Sequence, residues 1–137
     1  MDSESIQKDI WHTRMMRLAE EVATWSKEKH QVGCVITSKN NIILGTGYNG
    51  PPRNIEKNKG YAIHAEMNAI INYNRNFQPY NIYIYPYSPC SYCAGFIIQV
   101  GIKQVFIEKV EGPKLSFWHT DQVKALEMLK EAGVYVN

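Results

Sequence analysis

The sequence predicts an α/β fold, a five-stranded mixed sheet with helices packed on its faces, and three observations carry that expectation. Helical apolar periodicity alternates with short runs rich in β-branched and aromatic residues, in the order α-β-β-α-β-α-β-α-β across 137 residues. The first two strand-like runs are separated by Asn40-Asn41, a hairpin-type turn that makes that pair antiparallel. Each later strand follows a helix, which implies parallel pairing after the hairpin.

The first helix is expected over 5–27, where Trp11, Met15, Leu18, Val22 and Trp25 recur at helical spacing. The polar stretch Ser26-Lys27-Glu28-Lys29-His30 ends it, as a solvated loop or an anion-holding one. Val32, Cys34 and Ile36 then alternate with Gly33, Val35 and Thr37, and Ile42 to Tyr48 returns as the partner strand. Gly47-Tyr48-Asn49-Gly50-Pro51-Pro52-Arg53 stops the pairing. It is either a tight turn alone or a loop placing Asn49 and Arg53 where α/β sites open, at a strand end. The polar run 54–60 is expected to be a mobile loop.

A second helix is expected over 63–75, with His64 and Glu66 in its first turn and Met67, Ile70 and Ile71 inward. Asn81 to Tyr85 has strand composition, its tyrosines read as packing residues. A third helix carries Cys90 and Cys93, continues through Phe96, Ile97 and Val100, and stops at Gly101. Gln104 to Ile107 is a strand, and 109–119 an irregular excursion around Gly112-Pro113. A last helix with Val123, Leu126 and Leu129 ends near Gly133 and leads into the short strand Val134-Tyr135-Val136.

The length fits a single domain, 1–137, and a composition of 45% hydrophobic and 20% charged residues is that of a globular protein. No apolar run approaches the roughly 18 residues of a membrane span, and no signal-peptide pattern opens the chain. Fifteen basic against thirteen acidic residues give a net charge of +2, too little to predict a nucleic-acid surface. Three cysteines, two of them in one short motif, leave no disulfide framework, and a reducing cytoplasm is the expected location.

The chemistry is concentrated in His64-Ala65-Glu66 and Pro89-Cys90-Ser91-Tyr92-Cys93. Catalytic zinc takes three protein ligands and leaves a fourth position for water. His64, Cys90 and Cys93 supply the three, the Cys-x-x-Cys spacing letting one helical turn present both sulfurs. Pro89 suits a helix start, whose exposed N–H groups favour thiolates. Glu66, two residues past His64, points elsewhere and is free to move protons. A Cys-x-x-Cys pair could instead be a redox couple or half of a zinc knuckle. The first leaves His-Ala-Glu unexplained, and the second wants a fourth ligand. Cys34, flanked by Val32, Val35 and Ile36, reads as a small buried apolar residue. His12, His30 and His119 have no partner pattern and read as surface or capping residues.

H-x-E followed by P-C-x-x-C is the signature of zinc nucleobase deaminases. Over nearly its full length the chain resembles the deoxycytidylate (dCMP) deaminases of bacteria and their phages. The matching pieces include Ala23-Thr24-Trp25-Ser26-Lys27, Gln31-Val32-Gly33, Gly47-Tyr48-Asn49-Gly50, Ile63 to Ile70, Tyr85 to Gly95, and Ile97-Ile98-Gln99-Val100-Gly101-Ile102. Gly-Tyr-Asn-Gly and Ile-Ile-Gln-x-Gly-Ile discriminate this branch from cytidine, guanine and transfer-RNA adenosine deaminases.

The resemblance implies a cytidine deaminase-like three-layer α/β/α fold and zinc-dependent hydrolysis of dCMP to dUMP and ammonia. It implies that His64, Cys90 and Cys93 bind Zn2+ and that Glu66 protonates N3 and then the departing ammonia. Substrate contacts carried over are the backbone at Ala65, Asn49 at the sugar, and Ser26 and Lys27 at the phosphate, with Arg53 or Lys29 as alternatives. A homo-oligomer, dimer or hexamer, is implied. Some relatives respond to dCTP and dTTP, at a site matched here by Gly50 and Arg75. Pro51 stands where a phenylalanine is common, Asn72 where some relatives carry an aromatic residue, and the 51–62 loop is short. Weakened or absent nucleotide regulation is therefore expected. The competing expectations are a deaminase of another nucleoside, base or 5-substituted cytosine nucleotide, and a binding module with a structural zinc. A base in RNA or DNA is disfavoured by the near-neutral charge.

Overall fold

A computed structural model describes residues 3–56, 60–108 and 116–137. The elements are α1 (Ser3–Ala23), β1 (Gly33–Thr37), β2 (Ile43–Tyr48), α2 (Ala65–Asn72), β3 (Asn81–Tyr85), α3 (Ser91–Val100), β4 (Gln104–Ile107), α4 (Ser116–Glu131) and β5 (Tyr135–Val136). The expected element order and the five-stranded mixed sheet are both present, and the strand order is β2-β1-β3-β4-β5. Helices α2, α3 and α4 cover one face around Ile36, Ile84, Ile97 and Leu129. Helix α1 covers the other around Met15, Ala19, Val35, Tyr83 and Phe106. The result is three layers. Among the described residues no helix is long and apolar enough to cross a membrane.

The pairing departs from expectation at one place. β1 is antiparallel to β3 as well as to β2, and only β3–β4 and β4–β5 are parallel. The hairpin sends β2 to the sheet edge, and the chain crosses back through α2 to the far side of β1. β3 thus runs parallel to β2 but enters beside β1. β1, lying between β2 and β3, is buried along its whole length. Its hairpin turns at Asn41, where φ is 68°, while the Ser38 hydroxyl accepts the Asn40 and Ile42 N–H groups at 3.3 and 3.1 Å.

Helix α1 ends at Ala23, four residues earlier than expected, in a run of i to i−3 bonds from Thr24, Trp25 and Ser26. Trp25 therefore leaves the stripe, stands half exposed and meets Tyr48 edge-on at 6.1 Å. Trp11 is also exposed, with the Arg14 guanidinium 4.9 Å from its ring. The buried side of α1 is Met15, Ala19, Val22 and Ala23. Small residues are needed there because Gly33 of β1 lies so close that a Cβ would come 2.2 Å from the Ala19 carbonyl oxygen.

Similar shifts affect the other helices. α2 stops at Asn72, and its buried side is Ala65, Glu66, Ala69 and Ile70, with Ile71 exposed rather than inward. In α3 Phe96 is half exposed and Cys93, Ala94 and Ile97 are inward; in α4 Ala125 and Leu129 are buried and Val123 is exposed. The end of α3 at Gly101 is as expected, with φ of 94° and its N–H on the Ile97 and Ile98 carbonyls. Ser116 to His119 belong to α4, not to an irregular segment. The rest of that segment, 109–115, and residues 57–59 of the 54–60 loop lie outside the described residues.

Candidate active site

The two motif segments meet because α2 and α3 pack side by side on one sheet face. His64 is not in the first turn of α2, and Cys90 is not within α3, where the sequence placed them. Each is the N-cap residue, with extended backbone: φ, ψ of −67°, 151° at His64 and −75°, 169° at Cys90. Pro89 accordingly lies just outside α3, fully buried. A cap residue's side chain reaches back over its helix start, which lets two neighbouring starts converge. The approach to His64 is fixed by reciprocal bonds between Gly50 and Ile63, at 3.1 and 2.7 Å.

His64 Nδ1 lies 3.4 Å from the Sγ of both Cys90 and Cys93. All three ligand atoms fall within 4.8 Å of one another. A tetrahedral ion with Zn–S of about 2.3 Å and Zn–N of about 2.05 Å would set nitrogen and sulfur about 3.6 Å apart. The donor set fits zinc in its chemistry too. The Cys93 thiol and then His64 pull Cys90 down to about 4, against its burial. The Cys90 sulfur and burial push Cys93 well up. Two sulfurs that close compete for one negative charge, and a divalent cation relieves the competition. Bound there, zinc supplies the Lewis acidity that brings the pKa of a coordinated water to about 7.

Glu66 stands apart from the three ligands, in the first turn of α2 and only 4% exposed. Burial pushes its carboxyl up to about 7, opposed by its own backbone N–H, by His64 and by a hydrogen bond from the Cys34 thiol. Cys34 is fully buried, as the strand pattern implies, and burial followed by the Glu66 charge raises its thiol well above the usual range. Alternation along β1 signals burial, but nothing in it reveals that this thiol faces the Glu66 carboxylate.

A cavity of about 400 Å³ brings Glu66, His64, Ala65 and Cys90 together with Lys29, His30, Asn49 and Tyr87. Asn49 staples its rim: Oδ1 accepts the Val32 N–H at 2.9 Å and Nδ2 donates to the His30 carbonyl at 2.7 Å. His30, read from sequence as a surface or capping residue, meets Tyr87 edge-on at 6.4 Å at this cavity. No spacing in the sequence signals that meeting.

The remaining candidates lie elsewhere. Ser26 is buried, its hydroxyl donating to the Asn49 carbonyl at 2.8 Å and accepting the Glu28 N–H at 3.1 Å. Lys27 and Gly50 line a neighbouring cavity of about 840 Å³ with Trp25, Tyr48, Pro51 and Asn72. Arg53 is exposed and lines neither cavity. Arg75 is not on the helix as expected but three residues beyond its end. Its guanidinium donates to the Ile70, Ile71 and Tyr73 carbonyls at 2.8, 3.2 and 3.0 Å and stacks on the Tyr73 ring at 4.3 Å.

A family model, the cytidine and deoxycytidylate deaminase zinc-binding region, matches residues 9–109. The chain belongs to this family of zinc-dependent hydrolases. An uncharacterized deaminase in the luxG 3′ region of Aliivibrio fischeri is 36% identical over 136 residues, 92% of this chain and 91% of that protein. Human deoxycytidylate deaminase is 38% identical over 112 residues, 69% of this chain but 62% of the human enzyme. Among solved structures, apo dCMP deaminase from cyanophage S-TIM5 superposes with a TM-score of 0.73 at 25% identity, over 99% of this chain and 98% of that one.

Proposed function

We propose that the chain hydrolyses dCMP to dUMP and ammonia. The observation that carries the reading is a buried Glu66 sharing one cavity with His64 and Cys90, which together with Cys93 behind them form a zinc-type set. Water adds to C4 of cytosine, and the C4–N4 bond breaks. Glu66 takes one proton from that water and gives it to N3, then carries the second, from the new C4 hydroxyl, to the departing nitrogen, leaving ammonia and the C4 carbonyl. Its high carboxyl pKa in a buried setting suits a group that must both accept and release a proton near neutrality. The backbone at Ala65 faces the pyrimidine edge, and Asn49, which lines the same cavity, keeps one N–H and one lone pair for the sugar beyond its bonds to His30 and Val32. For the phosphate, Lys29 is supported by its place in the same cavity, while the Ser26 hydroxyl is already satisfied by the Asn49 carbonyl and the Glu28 N–H.

We read 1–137 as one deaminase domain working in a reducing cytoplasm, in line with the free thiols of Cys34, Cys90 and Cys93. A homo-oligomer is supported by exposed Ile71, Tyr92 and Phe96 on α2 and α3. Weak or absent control by dCTP and dTTP is supported by Arg75, whose guanidinium is occupied by the end of α2. Opposite shifts of the half-saturating dCMP concentration by the two triphosphates would refute that part. The activity itself is tested by incubating zinc-loaded protein with dCMP and following the pyrimidine proton resonances. Conversion to dUMP with one equivalent of ammonia is expected, and an unchanged spectrum contradicts the reading.

A further inference from the structure

We propose that Asp121, on α4, is a positioning residue for the metal centre, holding the peptide that joins Cys90 to Ser91 and so aiming the Cys90 sulfur. The carboxylate is bidentate on one residue: Oδ2 accepts the Ser91 backbone N–H at 2.9 Å and Oδ1 accepts the Ser91 hydroxyl at 2.7 Å. Ser91 is the first residue of α3, immediately after the ligand.

The N–H that Asp121 accepts lies in the peptide plane whose rotation is ψ of Cys90, here 169°. The carbonyl of that same peptide accepts the Ala94 N–H at 2.9 Å. One end is thus pinned by α3's own first turn and the other, from outside the helix, by α4. With ψ fixed and the Cys90 sulfur also accepting the Cys93 N–H at 3.4 Å, the direction of Cβ–Sγ toward His64 is determined before any ion arrives. Charge-assisted bonds are roughly twice as strong as neutral ones, which makes a carboxylate a stiff pin. Its negative charge also suits the N-terminal end of α3. The alternative is a clip that only joins α4 to α3.

The inference rests on His64, Cys90 and Cys93 being the zinc ligands, and the test separates the two. Zinc affinity is measured by competition with a chromophoric chelator, and the visible bands of the cobalt-substituted protein are recorded, for wild type and Asp121→Asn. The amide keeps one acceptor but turns an NH2 toward the other donor. Loss of such a supporting partner should raise the zinc Kd by about 10–100-fold. The cobalt bands should shift with it. Equal Kd values and superimposable bands, with only the metal-free Tm lowered, would leave a clip and overturn the proposal. If Asp121→Asn does not fold, Asp121→Glu decides: it keeps the charge and favours the helix, but moves both oxygens by one methylene. A raised Kd then supports the proposal and an unchanged one overturns it. Wild type that takes up no zinc would overturn the ligand assignment itself, and no variant is needed to see that.

Discussion

Gly47 offers a perturbation whose size can be worked out from the packing. It lies on β2 directly under α2, where a Cβ would stand 2.3 Å from the Ala69 nitrogen and 2.4 Å from the Ala65 carbonyl oxygen. Non-bonded heavy atoms rest near 3.5 Å, so in Gly47→Ala the helix must recede by about 1 Å. Overpacking of this kind costs about 3 kcal/mol when backbone, not a flexible side chain, is in the way. At about 3 °C per kcal/mol in a domain this size, Tm should fall by about 10 °C. The displaced turn carries Glu66 and follows His64, and a 1 Å misplacement at a catalytic group costs about 100-fold in rate. Gly33→Ala is the matched control. Its Cβ would meet the Ala19 oxygen at 2.2 Å and the Ala23 nitrogen at 2.4 Å, but on α1, across the sheet from His64, Cys90 and Cys93. Thermal melts and kcat per folded molecule are measured for both, well below either Tm. Both variants should lose stability, and only Gly47→Ala should lose about 100-fold in kcat. Equal losses of kcat in the two, or none in Gly47→Ala, would refute the claim that α2's seat on β2 sets the site.

Glu66→Gln should keep a full zinc equivalent by metal analysis while kcat falls by about 10²–10⁴-fold, the usual worth of a general acid–base group. Cys93→Ala should lose both zinc and turnover. For wild type, chelation should lower Tm, since free metal at about 1,000 times Kd contributes about 4 kcal/mol to the folded state. Arg75→Ala should cost about 1 kcal/mol in denaturant melts, through the unsatisfied carbonyls ending α2, and leave kcat on dCMP unchanged.

The elements most legible in the sequence were those whose signals are local. Gly101 ends α3 because it can adopt a left-handed φ of 94°, and Cys90-x-x-Cys93 presents both sulfurs together because one helix start fixes both residues. The long-range decisions were less legible. That β3 would join β1 antiparallel depends on the side by which α2 crosses the sheet, which no single strand encodes. Trp25 and Ile71 are large and apolar at helical spacing, yet the sheet takes Ala19, Ala23, Ala65 and Ala69 instead, because Gly33 and Gly47 bring the helices too close for anything larger. Cys34 beside Glu66, His30 beside Tyr87 and Asp121 on Ser91 join residues 32, 57 and 30 positions apart. Such contacts exist only after the fold has formed, so neither periodicity nor motif spacing announces them.

The most direct measurement is kcat/KM of the zinc-loaded protein for dCMP and for deoxycytidine, followed side by side as ammonia release. If the chain is a dCMP deaminase, dCMP is preferred by well over tenfold, which is more than 1.4 kcal/mol of recognition from the phosphate alone. Equal ratios, or a preference for the nucleoside, would leave the zinc chemistry standing and contradict the substrate.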